Sequence, residues 1–329
     1  MKIKIAILLC WLLVPICGLP QDIHFSQTDN TPLTINPALA GEGNCSGRFI
    51  SNYRNQWRSV SANPYKTISF SGDMSSRKKK FAFGLLFFND RTGTGHFNQT
   101  TVQLCMASRV QFNRQTFLKL GIQGGWSARS IDMESLTWNS QFDGSVINPD
   151  QSSNETFTQE KTGAPDFAAG MLFTHNWTNK NILNIGLSSW HVNKPQTSFY
   201  TNTETLPVRW CGHADMTIKL PGKTLLIYPS AVFMTQSSYR QFLFGSFIRY
   251  IPGLDSKYTG REKASSIYFG MHYRFGDALI LSTKLNYRRQ LNLSFSYDIN
   301  VSRFHVASRT KGAMEISLSY LIPDNRLKL

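Results

Sequence analysis

Arg209, Cys211, His213, Asp215, Thr217 and Lys219 stand at alternate positions, with Trp210, Met216, Ile218 and Leu220 among the residues between and after them. A thiol, an imidazole and a carboxylate could begin a transition-metal site, and in an extended strand this spacing puts all three on one face. No second cluster of ligands accompanies them, and Arg209 and Lys219 flank them with positive charge. The row reads better as the polar side of a strand, so no metal is expected. Gly121, Gly124 and Gly125, or Gly93 and Gly95, lie within or beside strand-like runs with no helix after them, and match neither a dinucleotide nor a Walker loop. Glycine in such places suits bending and close packing. Serine, histidine and aspartate all occur, but no Gly-x-Ser-x-Gly elbow does. Neither catalysis nor a cofactor is expected.

The elements that would carry these residues are strands. Leu279, Leu281, Thr283, Leu285 and Tyr287 alternate with Ile280, Ser282, Lys284, Asn286 and Arg288. After Arg289-Gln290 the pattern resumes, with Leu291, Leu293, Phe295, Tyr297 and Ile299 against Asn292, Ser294, Ser296, Asp298 and Asn300. Met314, Ile316, Leu318 and Tyr320 then oppose Ala313, Glu315, Ser317 and Ser319. Successive strand side chains point to opposite faces, so the alternation asks for two different solvents. A soluble antiparallel sandwich alternates too. The length and number of the segments decide between them. About fourteen are expected: 47–56, 66–74, 81–89, 99–112, 116–131, 166–175, 181–190, 208–220, 225–236, 240–250, 265–275, 278–288, 291–300 and 312–321. An even set of such strands is the signature of an all-β transmembrane antiparallel barrel.

The connections agree. Short polar turns at 75–80, 113–115, 176–180, 221–223 and 289–290 follow even-numbered strands, while longer ones at 89–98, 132–165, 191–207 and 301–311 follow odd-numbered ones. Barrels place short turns at the periplasmic end and long loops outside. The 252–263 connection is long on the short side, which a miscounted strand would explain. Composition fits: 41% hydrophobic residues and a mean hydropathy of −0.26 are too polar for a helical membrane protein, and 23 Phe suit an aromatic girdle. The net charge of +15 is dispersed over turns and polar faces rather than gathered in one patch, so lipopolysaccharide phosphates or an acidic partner suit it better than nucleic acid.

Residues 1–18 read as a secretory signal, with Lys2 and Lys4 before the short apolar run 5–16. Residues 19–46 form an irregular lead-in whose lack of periodicity suggests a plug; 47–321 form the barrel and 322–329 a tail. Cys45, Cys105 and Cys211 make no disulfide framework, though one bridge stays open.

A series of short motifs runs through the mature chain. Gln21-Asp22-Ile23-His24-Phe25-Ser26-Gln27 is followed by Asn36-Pro37-Ala38-Leu39-Ala40-Gly41, Tyr53-Arg54-Asn55-Gln56-Trp57 and Asn89-Asp90-Arg91-Thr92-Gly93. Further on stand Arg129-Ser130-Ile131-Asp132, Gln141-Phe142-Asp143-Gly144, His191-Val192-Asn193-Lys194-Pro195, Leu206-Pro207-Val208-Arg209 and Tyr273-Arg274-Phe275-Gly276-Asp277-Ala278. In this order they resemble the PorP/SprF family of the type IX secretion and gliding machinery of Bacteroidetes, with Met74, Trp210 and Cys211 as departures. The resemblance implies an outer-membrane barrel, not an enzyme. Its expected partners are other type IX components and a secreted substrate, such as a large adhesin, recognised through its C-terminal signal domain. Arg54, Gln56, Trp57, Asp90, Arg91, Asp143, His191, Asn193 and Pro195 are then candidate contacts, Asp90 to Pro195 being read as lying outside strands. Alternation alone assigns Lys119, Arg129, Arg209, His213, Asp215, Lys219 and Lys284 to the lumen. If that lumen were open, the chain would be a passive porin or a transporter of hydrophobic solutes.

Overall fold

Fourteen strands alternate in side-chain polarity and close on themselves in the computed structural model. It describes residues 22–324 apart from 44, 62, 94, 134, 149, 153–158, 178–180, 200–203, 221–224, 253–264 and 304. The strands are β1 (Cys45–Gln56), β2 (Tyr65–Ser75), β3 (Phe81–Thr92), β4 (Phe97–Gln111), β5 (Thr116–Ser130), β6 (Lys161–Asn176) and β7 (Ile182–Trp190). They continue as β8 (Arg209–Lys219), β9 (Leu225–Gln236), β10 (Tyr239–Tyr250), β11 (Ser266–Arg274), β12 (Ala278–Tyr287), β13 (Leu291–Asn300) and β14 (Lys311–Pro323). Each pairs antiparallel with its neighbour in sequence, and β1 pairs with β14 to seal the barrel. Closure leaves no open edge, which is the condition for a sheet in lipid.

The apolar face points outward. Leu104, Ile122, Phe269 and Met271 on that face are each at least 60% exposed. The aromatic side chains of Phe81, Phe112, Trp177, Tyr250, Tyr287 and Tyr320 ring the short-turn end, and those of Tyr65, Trp126, Trp210, Phe242 and Phe275 ring the other. Two belts flanking an apolar band match a bilayer and its interfaces.

Several boundaries differ from the sequence reading. β3 and β4 run on through the pairs Asp90↔Gln99, Arg91↔Asn98 and Thr92↔Phe97, so Asp90 and Arg91 are strand residues and only 93–96 remains as loop. Their polarity does not end the strand, because backbone pairing continues beyond the apolar band. Likewise β6 begins at Lys161, so Pro165 stands inside it and does not close the preceding loop. Proline is tolerated there because β6 pairs with β5 along its whole length but with β7 only from Ala168 onward, which leaves the position of the missing N–H without a ladder partner. The connection between Tyr250 and Ser266 is long without any strand miscounted: the barrel has fourteen. The 253–264 part of it, the signal reading at 1–18 and the end of the tail at 325–329 lie outside the described residues. Cys45, Cys105 and Cys211 are buried free thiols, so no bridge joins them.

Candidate functional site in the lumen

The bore of the barrel holds the chain's own residues 22–43. They descend from the long-loop end, through 3-10 turns at Thr28–Asn30 and Pro37–Leu39 and one helical turn at Pro32–Ile35, to the short-turn end where β1 starts. Proline at the first position of the last two turns costs no hydrogen bond, since that N–H would be unpaired anyway. The barrel grips this segment at four levels.

At the top, Asp22 Oδ2 lies 2.6 Å from His191 Nε2 and 3.2 Å from Arg209 Nη1, while its N–H donates to Gln236 Oε1 at 2.9 Å. His191 Nδ1 meets Asp166 Oδ1 at 2.8 Å. One level down, Ser26 Oγ donates to Asp298 Oδ2 (2.7 Å) and accepts from Arg54 Nη1 and Arg274 Nη2 (2.6 Å each). Glu315 takes the N–H groups of Ser26 (2.8 Å) and Gln27 (2.7 Å), and Arg54 Nη1 at 2.9 Å. Arg54 and Glu315 are also directly opposite in the β1–β14 register, so the pair that holds the plug also spans the closing seam.

The middle level is apolar. Leu33 packs with Leu86, Ala82, Cys105 and Ala107 on one wall, and Ile35 with Cys211, Val232, Met234, Leu243 and Ile280 on the other. Burying each anchor is worth about 1.5–3 kcal/mol. At the bottom, Lys119 Nζ donates to Ala40 O (2.8 Å) and Glu42 Oε2 (2.9 Å), and Asp73 holds both Gly41 N (2.7 Å) and Arg48 Nε (2.6 Å). The wall is cut to fit: a Cβ at Gly121 would run into the Pro37–Ala38 backbone, and one at Gly170 into the Asn36 side chain.

Of the residues assigned to the lumen by alternation, Lys119, Arg129, Arg209 and His213 are buried there. Arg129 Nη1 donates to Thr197 Oγ1 at 2.9 Å, Arg209 Nη2 to Thr34 O at 3.1 Å, and His213 Nε2 faces Asn36 Nδ2 at 3.1 Å. Asp215 accepts from Asn184 at 2.8 Å, Lys284 pairs with Asp29, and the Lys219 N–H bonds Asn181 Oδ1 at 3.1 Å near the short-turn end. Thus most of them hold the plug and few line free space.

The residues offered as partner contacts scatter. Arg54 is 1% exposed and committed to the plug, with Gln56 accepting from its Nη2. Asp90 is buried and accepts from Thr67 Oγ1 at 2.6 Å. Arg91 is exposed on β3. Trp57 adopts φ 61° just past β1 and meets Tyr65 edge to face at 4.9 Å. Asn193 receives the Phe167 N–H and donates to Pro165 O at 2.7 Å, standing in for the β7 partner that β6 lacks there. Pro195 is buried and its carbonyl accepts from Leu206 N. Asp143 is exposed and caps a turn, accepting from Ser145 N and Val146 N at 2.8 and 2.9 Å. Sequence reasoning assigns no role to Asp22, Ser26, Asp166, Arg274, Asp298 or Glu315; for the last four the available signal was a charge within an expected strand.

Burial disfavours a charged His191, but the Asp22 carboxylate and the hydrogen bonds to Asp166 and Asp22 outweigh it and carry its pKa up to about 9. Burial likewise works against an ionised Asp22, and His191 and Arg209 overcome it, holding that carboxyl well below the usual range. A raised histidine stabilises the folded state fully below its unfolded value of 6.5 and loses that contribution as pH climbs through 9; the depressed aspartate loses its share only in strong acid. The latch contributes on the order of 3 kcal/mol at its plateau. Hydrogen exchange of amides 22–27, corrected for intrinsic rates, should therefore accelerate between pH 6.5 and 9, and His191→Gln should remove that dependence.

No curated protein sequence matches the chain. Among solved structures, 93% of the chain aligns with 96% of the CymD monoaromatic hydrocarbon channel at 10% identity and TM-score 0.48. The P. putida toluene transporter TodX aligns at 8% identity and TM-score 0.46, covering 88% of this chain and 93% of its own. For the KdgM porin in complex with disordered oligogalacturonate the figures are 8% and 0.38, over 83% and 98%. The sequence profile of the type IX secretion system membrane protein PorP/SprF matches residues 18–320, which takes in the plug and all but the last few residues of β14. The chain is a member of that family, a membrane protein of the type IX secretion system.

Proposed function

We propose that the protein is a non-enzymatic docking barrel of the outer membrane, which holds particular secreted substrates, large adhesins among them, at the cell surface or hands them to the translocon. The observation that carries this reading is the lumen gripped at four levels by residues 22–43, in a chain of the type IX family. A filled bore suits a scaffold better than a passive channel. With long loops outside, the surface left for cargo is built from the described residues of the 131–160 and 191–208 loops. There the 141–148 hairpin, closed by the Phe142↔Ile147 bridge, exposes Phe142 (50%), Val146 (61%) and Ile147 (49%). The opposite end gathers Arg77, Lys78, Lys79, Lys80, Arg114, Arg288 and Arg289 on its short turns, which suits acidic periplasmic components or lipid phosphates. On this reading the leader exports the chain.

The test is deletion of the gene followed by comparative proteomics of cell surface and medium. Loss of one or a few large cargo proteins, with the general secretome intact, is the expected result. An unchanged set of surface and secreted proteins would overturn the docking role.

A further inference from the structure

Asp22 is held at the top of the plug by groups that belong to the barrel wall, as a bound ligand would be. His191 presents both ring nitrogens to carboxylate oxygens, at 2.6 Å to Asp22 and 2.8 Å to Asp166. Ionised carboxylates only accept, so both nitrogens donate and the ring is an imidazolium. Asp166 fixes that ring and is itself fixed by Gln103 Nε2 at 3.0 Å. Arg209 adds a second cation at 3.2 Å, its guanidinium lying 4.8 Å over the Trp190 ring. Arg129 adds a third: it lies close enough to stabilise the Asp22 charge. The Nε atoms of Arg129 and Arg209 are buried with no hydrogen-bond partner.

If Asp22 leaves, three buried cations face one carboxylate. Breaking a buried pair by removing one partner is strongly unfavourable, so the vacated site demands another anion. Beside it, between plug and wall, lies a cavity of about 30 Å³ lined by Phe25, Leu86, Phe88 and Trp190 along with Asp22, Asp166, His191 and Arg209. That is room for about two waters. It widens if the top of the plug moves, because Phe25 belongs to the plug.

We infer that His191, Arg209 and Arg129 form a carboxylate-binding site which Asp22 occupies as an internal competitor, and that an external carboxylate carried next to an apolar group displaces Asp22 and loosens the top of the plug. This goes beyond the docking role and holds whether or not cargo secretion depends on the protein. The two carboxylates compete for the same cations, so each lowers the apparent hold on the other to the same degree.

The test uses the full-length protein in detergent or nanodiscs and a fluorescein-labelled apolar hexapeptide with a free C-terminal carboxylate. Asp22→Asn keeps the shape but removes the competing charge, and should bind the peptide at least tenfold tighter than wild type. Asp22→Asn combined with Arg209→Gln should lose that gain, and the C-terminally amidated peptide should bind neither form. Heat-modifiable gel migration checks that each variant is a folded barrel. If a variant fails this check, the free and amidated peptides are compared on wild-type protein. There, faster exchange of amides 22–27 with the free acid alone supports the inference, and equal exchange with both peptides overturns it. Benzoate that displaces the peptide would assign the site to small aromatic acids; failure to displace it would assign the site to peptides. Equal affinity of wild type and Asp22→Asn, or equal binding of free and amidated peptides, would overturn the inference.

Discussion

Excision of residues 23–40 is expected to convert a barrel that is silent in planar bilayers into one that passes resolvable single-channel current. Fourteen strands enclose a bore wider than their own lumen-facing side chains can fill. In the intact protein the space is taken by the plug, whose Leu33 and Ala38 are fully buried against the walls. The removed segment leaves behind a lumen rich in Arg54, Arg274, Asp298, Glu315 and Lys119, which water will enter. A smaller change should act in the same direction: Gly121→Val puts side-chain carbons where the Pro37–Ala38 backbone now lies, and the plug cannot stay seated without moving. Silence of the excised barrel, with its fold verified by heat-modifiable migration, would mean that the long loops seal the bore on their own.

The second large effect is expected at Glu315. Its carboxylate serves Arg54, Ser26 N and Gln27 N together and is 2% exposed. Glu315→Ala leaves Arg54 with Asp298 as its remaining carboxylate partner, one that Arg274 shares, and removes the acceptor for two plug amides. Loss of one member of a buried pair typically costs 3–5 kcal/mol. Part of this loss falls on the β1–β14 seam, because Arg54 and Glu315 are cross-strand partners there. Denaturant unfolding in detergent should show the drop in midpoint. Faster exchange of the Ser26 and Gln27 amides should accompany it. Replacing Arg54 and Glu315 together by Met and Leu should recover much of the loss, since neither charge is then left alone. A single variant as stable as wild type would show that water, not Glu315, satisfies Arg54.

The barrel itself is written in period two. Leu281, Leu285, Leu293, Phe295, Ile316 and Leu318 fall on the outer face as their alternation requires. One face must satisfy lipid and the other a polar interior, and a slip of one residue would exchange the two. Strand number and order follow locally for the same reason. The strand ends do not: Asp90, Arg91 and Pro165 look like loop residues, and only their backbone partners across the sheet show that they are strand.

The lumen was less legible. Alternation says that Ile280, Leu243 and Cys211 face inward, and it gives no reason for apolar residues on a polar face until Ile35 of the plug is seen against them. His191 and Arg54 stand out by residue type, but one lies 169 positions from Asp22 and the other 261 from Glu315. No local pattern can pair groups so far apart. Sequence alone determined that this chain closes into an outer-membrane type of barrel, because period-two polarity is a local property repeated in every strand. Only the tertiary structure decided that its bore is filled and which side chains hold the filling, because those contacts form between segments that the chain brings together only when the barrel closes.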